Sequence, residues 1–228
     1  MIGEATYRLR NAILKLAPDG AMEKLRAARK AGTFRRAGIV FVQVPKAAGS
    51  SISSAVYGQF IGHFSVSDIL ATCPSDVIEL PRFSVVRNPR ARLVSAWSFA
   101  RSGSGTGGPK QARIANPEQY QTEDFRSFPS FVAHWLSAKD VSQLDYVFRP
   151  QCDFLLDQHG EIAVDHLGKV ENLGETEAWL ANKLGKPITF QSGNRTKHGH
   201  YRDYYDPETK AKVAEIYRKH IELFSYEY

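Results

Sequence analysis

The stretch FVQVPKAAGSSISSAVYG, residues 41–58, decides how this chain is read. The apolar, β-branched run Gly38–Val44 predicts a short buried parallel strand. Pro45 to Gly49 reads as a small-residue loop, and a helix is expected from about Ser50 to Phe60. In such a unit the first helix amides, those of Gly49, Ser50 and Ser51, lie unpaired at the carboxyl edge of the sheet. The positive end of the helix dipole stands behind them, which suits an anion. Gly49 lets the backbone approach closely, Ser50 and Ser51 add hydroxyl donors, and Lys46 adds a mobile full charge. The competing reading is a plain strand–helix turn with a surface lysine. The Gly-x-x-x-x-Gly-Lys-Ser/Thr spelling of a nucleotide triphosphatase loop is absent, and the lysine precedes the glycine, which counts against ATP.

A second segment repeats the arrangement. In FSVVRNPRARLVSAWSF, residues 83–99, Arg87 ends another apolar strand, Asn88-Pro89 turns the chain, and Ser95 lies two turns into the next helix. Arginine offers a planar fork suited to phosphate. The two loops together predict two anion sites, one of lysine and amides, the other of arginine and serine. Further elements are expected over Ser127–Lys139 (helix), Phe154–Val170 (two strands around Gln158-His159-Gly160), Asn172–Leu184 (helix) and Asp206–Phe224 (helix). Alternating strands and helices predict an α/β fold: a P-loop-like three-layer sandwich with a central, mainly parallel sheet flanked by helices.

The 228 residues carry a formal net charge of +6. Residues 1–36 hold nine Lys/Arg against three Asp/Glu, and residues 37–228 hold 21 of each. The basicity therefore sits in an N-terminal arm, 1–36, ahead of a neutral domain, 37–228. The arm reads as helices over about 4–17 and 21–31, the second with Met22, Leu25 and Ala28 on one face. It either packs on the domain as a solvated hairpin or meets an anionic membrane or polymer. The domain lacks the basic stripe of a nucleic-acid binder. Cys73 and Cys152 lie far apart without metal spacing; they read as two buried thiols, a disulfide being the alternative. No apolar run is long enough to span a bilayer and no secretory h-region is visible, so a cytoplasmic enzyme is expected.

VPKAAGSS followed by VVRNPRARLVSAW resembles the two cofactor motifs of the sulfotransferases, specifically the carbohydrate-type branch (family 2), and points to a bacterial-type member. These enzymes use 3′-phosphoadenosine-5′-phosphosulfate (PAPS). LGKVENL, residues 167–173, and the ending from Tyr201 continue the resemblance, which covers the chain from Gly38 onward. It implies that Lys46, Ala47, Ala48, Gly49, Ser50 and Ser51 cradle the 5′-phosphosulfate, and that Arg87 and Ser95 hold the 3′-phosphate. Relatives often carry threonine at the positions of Ala47 and Ser50, and aspartate at that of Asn88. A closing loop in the stretch Asn194–Tyr205 would bring Arg195 or Lys197 to the 3′-phosphate. The acceptor implied is a glycan or glycoconjugate, and the donor chemistry needs no metal.

Sulfuryl transfer requires an acceptor proton to be removed and charge on the leaving phosphate to be met. Lys46 suits the second task. His63, in IGHFSVSD, is the candidate base, the resemblance placing a histidine in a comparable Gly-His stretch; otherwise it is a loop histidine. Glu171 is the second candidate, against a structural carboxylate. His198 and His200 lack a third metal ligand. Phe131, His134 and Trp135 read as a helix core face, and Gln151 as a residue of the acceptor cleft. A P-loop kinase and a non-catalytic glycan- or membrane-binding protein on the same fold are the competing functions.

Overall fold

The computed structural model describes residues 21–103, 114, 116–191 and 199–227, with the side chains of 21–23 left aside. The expected helix over 4–17, and Arg195 and Lys197, lie outside the described residues.

Helices α1 (Ala21–Arg29) and α2 (Ala31–Ala37) lead to strand β1 (Val40–Val42), then α3 (Gly49–Tyr57), α4 (Val66–Thr72) and α5 (Ser75–Ile78). Strand β2 (Arg82–Val86) and the long α6 (Pro89–Ser102) follow. After two 3₁₀ turns come α7 (Phe128–Ser130), which runs into a π-helical turn at Phe131–Leu136, and α8 (Cys152–Leu155). Strand β3 (His166–Lys169) precedes α9 (Leu173–Leu184), α10 (Pro207–Ile216) and α11 (Arg218–Leu223). The sheet order is β1-β2-β3, all parallel, with Phe41 opposite Phe83 and Val85 opposite Gly168. This is the α/β class expected from the sequence. Parallel neighbours demand crossovers, and helices supply them on the way from each strand to the next.

Two cores share the domain. One gathers the strands, α3, α4 and α9 around Phe41 and Phe83, whose rings stack at 4.7 Å. The other is aromatic and helical, with Phe125, Phe128, Phe131, Phe148 and Tyr217 packed beneath α6. Each fully buried phenylalanine contributes roughly 1.5–3 kcal/mol. Among the described residues, no helix is long and apolar enough to cross a membrane.

Four local expectations are revised. In the basic stretch, Ala27, Ala31 and Phe34 are buried at helical spacing against the sheet-side core, while Leu25 stays 45% exposed. Small residues hid the true inner face, and residues 24–36 pack on the domain. In place of two strands, 154–170 holds the end of α8, a single antiparallel bridge between Leu156 and Ile162, and β3. The Asp157 carboxylate accepts the N–H groups of His159 and Glu161, tying a turn too tight for a longer ladder. Phe131 and Trp135 stack at 5.4 Å in the core, but His134 faces solvent. The i→i+5 winding, closed by Ser137 N–H donating to Val132 O, turns the i+3 position off the face shared by i and i+4. The last helix breaks at Tyr217, whose buried hydroxyl is anchored on the Phe148 carbonyl at 2.8 Å.

Candidate active site

The loop after β1 runs through two non-glycine residues in the left-handed region, Lys46 (φ 65°) and Ala48 (φ 58°). Such residues cost about 1–3 kcal/mol each and persist only where neighbours enforce them. The neighbours here are arginines of the next loop: Arg92 Nε donates to the Pro45 carbonyl (2.8 Å) and Arg87 Nη1 to the Lys46 carbonyl (3.4 Å). Ala48 occupies the N-cap of α3 and has no side chain to cap it. Internal hydrogen bonding starts with Ser51 and Ile52, both donating to the Ala48 carbonyl. The amides of Gly49 and Ser50 are therefore left to an outside acceptor. Ser50 is exposed and Ser51 half-buried, whereas Ala47 is fully enclosed in the core and shapes the loop from below. Gly49 is required from the protein side. A Cβ there would meet the Gln43 side chain at 2.6 Å, and Gln43 is held in place by Ser53 Oγ donating to its Oε1.

Lys46 lays its ammonium over the Phe99 ring, 4.3 Å from the centroid. Burial, with the charges of Arg87 and Arg92 adding to it, pulls its pKa down to about 8. Arg92 is 3% exposed, and burial pulls its pKa to about 10. Burial likewise lowers that of Arg87. Among the described residues none of these three cations forms an ion pair. Arg92, buried, and Lys46 and Arg87, both half-buried, thus bring three positive charges together beside an uncapped helix end, with no ion pair to any of them among the described residues, an arrangement suited to an anion.

The loop after β2 is built differently. Asn88 Oδ1 accepts the N–H groups of Arg90 (3.0 Å) and Ala91 (3.3 Å), and Pro89 has no N–H, so the α6 terminus is already satisfied. The backbone of Arg87 is clasped by Gln151, which accepts its N–H at 3.0 Å and donates to its carbonyl at 2.8 Å. Gln151 is thus a buried positioning residue of Arg87. Glu171 accepts the Asn88 N–H (2.8 Å) and the Tyr226 hydroxyl (3.0 Å), so the second candidate base serves to hold the loop. Ser95 is buried on the second turn of α6.

His63 lies half-buried just beyond α3, with Nδ1 3.1 Å from the Gln43 carbonyl. A carbonyl only accepts, so Nδ1 carries the proton and Nε2 the lone pair. Burial lowers the imidazole pKa to about 4, and the charges of Arg92 and Lys46 push the same way, against the Gln43 contact. The structure thus joins His63, Lys46 and Arg87 around one sheet edge. Sequence reasoning missed Arg92, Gln43 and the role of Gln151.

The sequence model of the sulfotransferase family, family 2, matches residues 30–227. Among curated proteins and among solved structures none matches the chain. The match spans both loops, the sheet and the helices that position them, and on that extent the chain belongs to the sulfotransferase family.

Proposed function

We propose that the protein transfers the sulfuryl group of PAPS to a hydroxyl of a carbohydrate or glycoconjugate by in-line displacement. The observation that carries this reading is the set of three cations, half-buried Lys46 and Arg87 and buried Arg92, at the open N-terminus of α3, none in an ion pair among the described residues. The donor supplies an activated sulfuryl group on a phosphate leaving group. Lys46, with the Gly49 and Ser50 amides and the Ser51 hydroxyl, meets the charge that grows on the departing phosphate. Arg87 and Ser95 hold the 3′-phosphate, and Arg195 or Lys197 closes over it. Ala47 and Ala48 set the loop conformation. His63 Nε2 removes the acceptor proton as the new S–O bond forms. The two cations that depress its basicity are those a bound anion would neutralise, so His63 becomes a better base in the loaded site. No metal has a role in this scheme. Free thiols at Cys73 and Cys152 support a reducing cytoplasm as the compartment.

The test is transfer of radiolabelled sulfuryl from PAPS to a glycan panel. Label transfer that is lost in Lys46→Ala and His63→Ala supports the assignment. Binding of ATP–magnesium with no use of PAPS would replace it with a kinase.

A further inference from the structure

A cavity of about 400 Å³ opens beside His63, a volume typical of small-ligand clefts. Its wall is unusual in charge. Arg26 and Arg29 of α1 and Lys30, just beyond that helix, line one side, and no carboxylate is among the described lining residues. Phe60, 53% exposed, and Tyr146 present rings to the same space, and His63 forms part of it. Phe60 and Tyr146 also flank the imidazole, with ring centroids 5.4 and 6.4 Å from it.

These features belong together. Aromatic faces suit the C–H face of a sugar ring, and cations suit its acidic substituents. A ligand seated between them lies against the nitrogen base already assigned. The cations assigned to the anionic donor, Lys46, Arg87 and Arg92, are not among the described lining residues of this cavity, so Arg26, Arg29 and Lys30 are left for a second anion. Resting on the sulfotransferase reading, we propose that this cavity is the acceptor subsite and that the acceptor is an acidic glycan, its carboxylate or sulfate held by Arg26, Arg29 and Lys30. The basic N-terminal stretch then serves substrate choice through Arg26, Arg29 and Lys30.

The experiment compares calorimetric binding of two probes to the full chain saturated with adenosine 3′,5′-bisphosphate: trigalacturonate and its fully methyl-esterified, neutral counterpart. The same is done for the triple variant Arg26→Ser/Arg29→Ser/Lys30→Ser and for Lys24→Ser/Arg36→Ser, which removes cations outside the cavity. All five side chains lie at least partly at the surface, so folding should survive. Wild type should prefer the acid, and the triple variant should lose about tenfold in affinity for it, each exposed ion pair being worth a factor of roughly two to five. The ester should bind both proteins alike, and the control variant should behave as wild type. Equal binding of acid and ester to wild type overturns the proposal. So does a loss equally large in the control, or a triple variant whose only defect is binding to vesicles containing phosphatidylserine. Absence of bisphosphate binding would instead strike the sulfotransferase reading itself.

Discussion

After β1, Ala48 stands at the helix N-cap and leaves the amides of Gly49 and Ser50 open; after β2, Asn88 stands at the same place and consumes those of Arg90 and Ala91. The first loop offers main chain backed by one lysine, on a backbone bent through two left-handed residues. The second offers only side chains, on a backbone clasped by Gln151 and Glu171. A helix end with free amides follows charge that shifts during a reaction, because several donors converge on one point. A satisfied end with a rigid arginine fork recognises a phosphate that merely stays in place. The proposed function accordingly gives chemistry to the first loop and recognition to the second.

Lys46→Ala should give the largest effect, lowering the transfer rate at saturating donor by about 10²–10³-fold, the usual cost of one lost donor to developing charge. Lys46→Gly should be as inactive yet melt higher than Lys46→Ala, because only glycine adopts φ 65° without penalty. Arg87→Ala should act on recognition: affinity for adenosine 3′,5′-bisphosphate falls by about 10–100-fold, as for one lost charge-assisted hydrogen bond. A rate loss at saturation as great as that of Lys46→Ala would erase the division of labour.

The pH dependence sharpens the comparison at the first loop. An anion binds the protonated Lys46, whose pKa in the free protein is about 8. Affinity should therefore hold below that pH and fall above it, by no more than about tenfold per pH unit. In Lys46→Ala the inflection should vanish. His63 provides the counterpart: its pKa of about 4 should rise on adding bisphosphate, read from imidazole proton resonances, since Lys46 and Arg92 then gain a counter-ion. The smallest effect belongs to Asn88→Ala, which removes a helix cap at a cost of about 1 kcal/mol in stability. Bisphosphate affinity should change little, as the α6 amides were never on offer.

Both loops were legible as strand–turn–helix units because each is local: an apolar strand, a turn, then a helix start. The cations' arrangement was not. Arg92 reaches the Pro45 carbonyl 47 residues away, and Gln151 clasps a backbone 64 residues away. Such contacts depend on strand order and leave no mark on spacing. Gly49 carries the same lesson, since its small size answers to Gln43 crossing over it. The face of α1 and α2 was misread because alanines at 27 and 31 look neutral until Phe34 shows which way they point.

The most direct test of two loops holding two ends of one ligand is a thermodynamic cycle. Binding of adenosine 3′,5′-bisphosphate and of adenosine 5′-phosphate would be measured calorimetrically on the wild-type protein and on Arg87→Ala. The account predicts that the bisphosphate binds wild type more tightly and that Arg87→Ala abolishes that advantage while leaving 5′-phosphate affinity unchanged. If the 3′-phosphate kept its advantage in Arg87→Ala, or conferred none in the wild type, the assignment of the second loop would be contradicted.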